Sequence, residues 1–495
     1  MMFVTAQQMR AAEDALFAQG VEAEDLMNLA GLKIAREILK RFPSPDGRLA
    51  IAVIGKGNNG ADAMVALRHL KEAGWQVAVR SDTPPTTLTG LPSKKWQELG
   101  EIHLLDNLQQ LPENKGVILL DGLLGIGTEG SIREPLATLA REMNALRQGG
   151  QAFTVAIDVP SGINCDTGEC GDDTVIADLT CTLGMPKQGL IADAAISHVG
   201  SLAFLSLPGL SDIDPSQNHL ICPDTLPVQK LYRPYDFHKG EAGRIGIVAG
   251  SRGLAGTAAL CSLGALKAGG GLVTLFVPKA DYPLILSLVP IEVMVKPVTS
   301  YLEVLHERLD ALAIGPGLGL GDAGIDVLSL ISQFKNPTVI DADALNLIAR
   351  RGSISQLRSD QVVTPHPGEI TRLLPDLDHK LTRAEIARRF AHQSPATLLF
   401  KGARTIVTSR ESPLAYNTTG TPGMATGGQG DVLTGVIAAL LARGLEPIEA
   451  ASMGAWLSGR ASEIALQTES QESLTATTTA QHLGRAFQEL RATAT

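Results

Sequence analysis

The sequence predicts two α/β domains in tandem, each built on a mostly parallel sheet sandwiched by helices. Three observations carry that expectation. The chain has 495 residues, too many for one ordinary hydrophobic core. Short β-branched runs alternate with helical stretches, with glycine-rich loops between them. One polar, aperiodic segment from Pro208 to about Asp224 interrupts the alternation and reads as a connection. The expected domains are therefore residues 1–211 and 225–495, with residues 212–224 as the linker.

Composition narrows the function classes. A hydrophobic fraction of 44% with 19% charged residues is that of a soluble globular protein. The net charge of −10 argues against a nucleic-acid partner, because no surplus of Lys and Arg is available to replace counterions. No run approaches the length needed to span a bilayer, and the first residues lack a basic segment followed by a long apolar core, so no membrane partner and a cytoplasmic location are expected. The five cysteines show no CxxC pair and no metal-ligand spacing, which leaves them without assigned chemistry.

Taken in order, the chain opens with expected helices over Gln7 to Phe17 and Leu26 to Phe42. The run RLAIAVIG from Arg48 then reads as a buried parallel strand, ending directly in GKGNNGADAMVALRHLKEAG. Asn58, Asn59, Gly57 and Gly60 place amides and bare N–H groups where that strand ends, the place where open α/β sheets bind ligands. An asparagine-rich structural turn is the other reading of this loop. The unit recurs. WQVAVRS is a strand; VILLDGLLGIGTEGSIREP carries a strand into Asp121 and a glycine loop before a helix near Pro135; FTVAIDVPSGINCDTGE ends a strand at Asp158, with Ser161 just beyond. Parallel strands bring such ends to one edge, so their carboxylates and amides are expected in one pocket. Oxygen donors such as Asn59, Asp121 and Ser161 suit a hard cation, although each Asp taken singly also reads as a cap.

Past the strand SLAFLSL and the linker, RIGIVAGSRGLAGTAALCSLGALKAGGGLVTLFVP repeats the order of strand, glycine loop, helix and strand. Further strands are expected at ALAIGPGLG, PTVIDADALN, QVVTPHPGE, TLLFKGART and IVTS, with helices at Gly324 to Gln333 and Arg383 to Ala391 among the segments between them. His366 stands between two prolines, which favours a positioned side chain over a core histidine.

The stretch Gly420 to Gly435, GTPGMATGGQGDVLTG, organises the second domain. Gly427, Gly428 and Gly430 leave the backbone free to take positive φ and to present N–H groups ahead of a helical run from Val432 to Leu441. Asp431 lies in the first turn of that helix. A carboxylate beside a bound phosphate is repelled unless it serves as a base or holds a cation, so the pairing points to phosphoryl or elimination chemistry. The plainer alternative is a glycine turn with Asp431 as a helix cap.

These motifs carry a resemblance. GNNGADA, DGLLGIGT and AIDVPSGINCDTG, with TAQQMRAAEDALFAQG and DLMNLAG before them, resemble the NAD(P)H-hydrate epimerase domain. HKGEAGRIGIVAGS, GPGLG, DADALN, TPHPGE and MATGGQGDVLTGVIAALLARG resemble the ribokinase-like NAD(P)H-hydrate dehydratase to which that domain is fused in many bacteria. The resemblance implies a Rossmann-like three-layer α/β/α domain followed by a ribokinase-like α/β domain. In the first, Asn58, Asn59, Gly60, Ala61, Asp62, Gly125, Ile126, Gly127, Thr128, Glu129, Gly130, Ser131 and Asp158 would touch the hydrated dinucleotide, and Asn59, Asp121 and Ser161 would bind potassium. In the second, Ala258, Gly317, His366 and Asp431 would lie at the hydrate, while Lys401, Gly402, Ala403, Arg404, Thr405 and Gly430 would hold ADP, used with magnesium. Asp431 and Asp158 are the expected catalytic carboxylates, and a homo-oligomer the expected assembly. The family usually reads NNGGDG; here Ala61 and Ala63 replace two glycines, harmless in a helix but obstructive where φ must be positive. A ribokinase-like kinase for a small alcohol, fused to a non-catalytic nucleotide-binding domain, is the rival function.

Overall fold

The computed structural model describes all residues except 1, 109–110, 112–115, 129, 211–216, 320–323, 352–353 and 494–495. The chain divides into two compact units, Met1–Asp214 and Pro215–Thr495. Part of the expected linker, with the boundary residue Ser211, lies outside the described residues.

The first unit opens with α1 (Ala6–Ala18) and α2 (Ala23–Arg41). Thr5 caps α1 by accepting from the Gln8 N–H, and the Gln8 side chain answers the Thr5 N–H. Then follow β1 (Arg48–Ile54), α3 (Asn58–Glu72), β2 (Gln76–Ser81), α4 (Gly90–Leu99), β3 (His103–Leu105), β4 (Gly116–Gly122), α5 (Leu136–Gln148), β5 (Ala152–Ile157), β6 (Leu179–Leu183), α6 (Ile196–Val199) and β7 (Ser201–Leu205). The strands form one parallel sheet in the order β3-β2-β1-β4-β5-β6-β7. Strand order reverses between β1 and β4, which opens the crevice into which α3 and the loop after β4 project. Helix α3 docks closely there: a Cβ on Gly60 would stand 2.6 Å from the Gly55 carbonyl oxygen, so this position admits only glycine. Ala61 and Ala63 are helical and fully buried in the core under α2 and α3. Their methyls pack inward, and the positive φ that would have made alanine a problem does not occur at either residue.

The second unit contains β8 (His219–Leu220), β9 (Arg244–Val248), α7 (Ala255–Lys267), β10 (Leu272–Pro278), α8 (Tyr282–Leu286), β11 (Met294–Val298), β12 (Ala311–Ile314), α9 (Gly324–Gln333), β13 (Thr338–Ile340), α10 (Ala342–Arg351) and β14 (Gln361–Val363). It continues with α11 (Pro367–Leu373), α12 (Arg383–Gln393), β15 (Thr397–Phe400), β16 (Thr405–Thr408), β17 (Ala415–Asn417), α13 (Gln429–Ala442), α14 (Pro447–Ala465) and α15 (Ala476–Thr493). Its ten-stranded sheet runs β11-β10-β9-β12-β13-β14-β15-β16-β17-β8, parallel as far as β15 and mixed beyond it. The segment around β8, expected in the linker, is an edge strand of this sheet. Helix α13 is apolar on nearly all sides because it lies inside a helical layer, packed between α7 and α14.

Candidate active sites

In the first unit the ends of β1, β4 and β5 lie side by side, as parallel pairing requires. Asp121 is fully buried in β4. Its Oδ1 accepts from Ser161 Oγ at 2.6 Å, and its Oδ2 from the Ser161 N–H at 2.7 Å. Burial pushes its carboxyl up to about 6, against the pull of these hydrogen bonds. Ser161 Oγ also accepts from the Leu124 N–H, and the Asn59 amide donates to the Leu124 carbonyl at 2.7 Å. Asn59, Asp121 and Ser161 thus meet around Leu124. A buried carboxylate with no counter-cation among the described residues, set among hydroxyl, amide and carbonyl oxygens, is a donor set that fits a hard monovalent cation. Among the described residues no three His, Cys, Asp or Glu side chains converge to hold a metal ion.

Asp158 follows β5 with a φ of 64°. Its Oδ1 accepts from the Leu183 N–H at 2.9 Å and from the ammonium of Lys187, whose side chain is wholly buried. Two further carboxyls face this pair, one on α1 and one on α3. Glu13 is raised by burial and then by Asp158; Asp62 is raised well above the ordinary range by the same two causes, with Glu13 adding to them. Arg10, also on α1, stands over the loop after β4, close enough that a Cβ on Gly127 would meet its guanidinium at 2.9 Å. The other expected contacts lie around these groups. Asn58 is exposed at the start of α3, Ile126 is partly buried against the core, and Thr128 closes a turn onto the Gly125 carbonyl. Gly130 has a φ of 76° and Ser131 approaches Gly171; Glu129 lies outside the described residues.

In the second unit Gly428 is the N-cap of α13, in the left-handed region at φ 91°. The helix starts at Gln429, three residues earlier than expected, so Gly430 is helical and only Gly428 of the three glycines takes positive φ. Asp431 therefore occupies the third helical position and caps nothing. Among the described residues its carboxylate makes no hydrogen bond, and burial first, Asp341 second, push it up to about 7 against the attraction of Lys401. Asp341 follows β13 and is buried. It accepts from Lys401 Nζ at 2.8 Å and from Thr434 Oγ1 at 2.8 Å, the latter one turn along α13 from Gly430. Lys401 Nζ is also 3.9 Å from Glu369. Burial pulls its ammonium down, but Asp341, Glu369 and Asp431 together hold it above its ordinary value.

His366 caps α11: its Nδ1 accepts from the Gly368 N–H, and Glu369 returns the bond by accepting from the His366 N–H at 2.8 Å. The ring is left exposed beside the Lys401 cluster. Gly317 takes a φ of 62° against Thr257, where α7 begins, while the Ala258 methyl is buried in the core against Gly250. Among Lys401, Gly402, Ala403, Arg404 and Thr405, the loop is stapled by Arg383, which donates to the carbonyls of Phe400, Lys401 and Arg404. Arg404 itself turns inward. Its guanidinium is buried and lowered to about 10 by that burial, with Glu463 as the opposing charge. Sequence reasoning did not assign roles to Asp341 and Thr434, although an Asp at a strand end was the signal that found Asp121 and Asp158. Lys187, Glu13 and Arg10 had no such signal.

Comparison with known proteins covers both units. Residues 245–488 match the model of the NAD(P)H-hydrate dehydratase family and residues 23–189 that of the YjeF-related protein N-terminus. The chain is 36% identical over 484 residues to the bifunctional NAD(P)H-hydrate repair enzyme Nnr of Moorella thermoacetica, covering 91% of this chain and 90% of that one. The same identity holds over 499 residues with the protein of that name from Gloeobacter violaceus, covering 94% and 95%. Among solved structures, a ribokinase-like superfamily protein from Enterococcus faecalis matches with a TM-score of 0.50 and 25% identity, over 57% of this chain and 98% of that one.

Proposed function

The chain belongs to the family of bifunctional NAD(P)H-hydrate repair enzymes, and from that premise we infer how its two sites divide the work. It returns hydrated NADH and NADPH to use: the first unit is the NAD(P)H-hydrate epimerase and the second the NAD(P)H-hydrate dehydratase. A nicotinamide ring that has added water no longer donates hydride. Hydroxide is a poor leaving group, so the second site transfers a phosphoryl group from ADP to the hydroxyl, leaving AMP, and then eliminates phosphate.

The observation that carries this reading is the Asp431 carboxyl, held in the first turn of α13 with no hydrogen bond among the described residues and pushed up to about 7. Asp431 takes the hydroxyl proton as the oxygen attacks the donor phosphate. The amides opening α13 and the Lys401 ammonium face the charge that develops on the transferred group. The negative charge of Asp341, Glu369 and Asp431 around Lys401 suits a magnesium ion that the nucleotide's own phosphates would carry in, since among the described residues no three such side chains converge to hold one by themselves. The 401–405 loop and Gly430 bind the nucleotide; Gly317 and His366 line the hydrate side, with the buried Ala258 supporting it from α7. In the first unit Asn59, Asp121 and Ser161 hold potassium, which supplies the charge that buried Asp121 lacks. The hydroxyl sits on the carbon next to the ring nitrogen. Protonated, it leaves as water while the nitrogen lone pair closes a C=N bond; water returning to the other face releases a proton, and Asp158 exchanges it in this reading.

Cytoplasmic location and a homo-oligomer belong to the same proposal; among the described residues no helix is long and apolar enough to cross a membrane, and light scattering checks the assembly. The deciding experiment incubates the protein with a mixture of both hydrate epimers, once with ADP and once with ATP, and follows the nicotinamide absorbance. Full recovery supports the reading; phosphorylation of a small alcohol without recovery would favour the kinase alternative.

A further inference from the structure

A fully buried lysine is uncommon and needs a reason. Lys187 lies 29 residues beyond Asp158 in the chain, after β6, and its backbone is clamped by the first residues: the Val4 N–H donates to the Pro186 carbonyl and the Gln188 N–H to the Val4 carbonyl. Its ammonium has two partners, Asp158 Oδ1 and the Leu183 carbonyl at 2.9 Å. Oδ1 of Asp158 also accepts from the Leu183 N–H at 2.9 Å and Thr182 Oγ1 at 3.5 Å. All of the hydrogen bonds to this carboxylate thus fall on one oxygen, and among the described residues Oδ2 has no partner. The backbone at Asp158 is in the left-handed region, which is strained for an L-residue and is kept only where the surroundings impose it.

We propose that Lys187 is a positioning residue for epimerisation: with Leu183 it pins one oxygen of Asp158 so that the other faces the hydroxyl-bearing carbon of the hydrate. This rests on the epimerase reading of the first unit. The groups facing Asp158 from other elements are Glu13 on α1, Asp62 on α3 and the Cys165 thiol, and Arg10 acts on Glu13. Arrangement of a base by a buried partner that never touches substrate is a recurring means of holding reacting atoms in line.

The test uses the full-length chain without any nucleotide, so that dehydration is silent, and follows interconversion of purified epimers by chromatography. Dehydration of the epimer that the second unit accepts, with ADP restored, reports only on the second unit, so a urea melt of each variant against the wild-type chain serves as the folding control for the first. Lys187→Met is expected to lower the kcat of epimerisation about a hundredfold with KM changed no more than about threefold. Lys187→Gln, which keeps an N–H donor without the charge, should lose less, and Asp158→Asn with Lys187→Met should be no slower than Asp158→Asn alone. The double variant removes both charges of the pair, so it carries the test if the lysine variant alone fails to fold. Wild-type kcat in Lys187→Met, or a double variant at least tenfold slower than Asp158→Asn, would overturn the assignment. Failure of the wild-type chain to interconvert epimers would instead overturn the epimerase reading.

Discussion

Asp431 joins activity and stability with opposite dependences on pH. Its carboxyl is pushed from the usual value near 3.8 up to about 7, by burial and then by Asp341. A base must be ionised, so kcat/KM for dehydration is expected to fall about tenfold per unit below an apparent value near 7, the free enzyme's value being the one this ratio reports. The folded state binds the proton more tightly than the unfolded chain does, so the contribution of this group to stability declines as pH rises from about 4 through 7. Asp431→Asn should therefore lower dehydration by about a hundredfold or more while flattening that decline; urea melts at pH 5 and pH 8 and a pH–rate profile check both. A mutant that turns over at the wild-type rate would remove Asp431 from the mechanism.

At the scale of elements, the dehydratase site depends on how closely α7 and α13 cross. A Cβ on Gly435 would stand 2.0 Å from the Cys261 carbonyl oxygen, and one on Gly264 would stand 2.3 Å from that of Val432. These two glycines let the helix backbones touch and so fix where the first turn of α13 points. Gly435→Ala is expected to cost the second unit about 1–3 kcal/mol through overpacking, read as a lower urea midpoint of dehydratase activity; an unchanged midpoint would show that the helices can part freely. In α3 the same logic runs the other way. Ala61 is helical with its methyl in the core, so Ala61→Gly should leave epimerisation nearly unchanged while lowering the stability of the first unit by about 1 kcal/mol. A large gain in epimerase rate would mean that the methyl obstructs the substrate after all.

At the scale of the whole molecule, each unit has its own sheet and core and so each should fold alone. Polar composition alone suggests starting the second fragment near Asp224. That start removes β8, and with it the pairing of His219 and Leu220 with Ala415 and Tyr416 and the bond from the Leu414 N–H to Asn218. A fragment from Gln217 onwards is expected to be soluble and to repair one hydrate epimer, stopping partway on a mixture; adding the first unit as a separate polypeptide should carry recovery to completion. Complete, equally fast repair by the second fragment alone would assign the first unit another task.

The tandem α/β architecture, the strand ends and the glycine loops were legible because hydrophobic periodicity and strand-end chemistry are local properties, written in consecutive residues. Asn59, Asp121, Ser161 and Asp158 could be expected together because parallel strands must finish at one edge. Locality also limited what could be read. Whether Gly430 or Gly428 takes positive φ, and whether Asp431 caps the helix or hangs free, depends on where α13 starts against α7. The residues of KGART do not show which way Arg404 faces; in the fold its guanidinium is buried, with Glu463 as the opposing charge, while Arg383 donates to the Arg404 carbonyl. Nothing in the residues around Lys187 marks it until the first residues and β6 close around it and Asp158. Its burial is a property of contacts between distant segments, and those exist only in the folded chain.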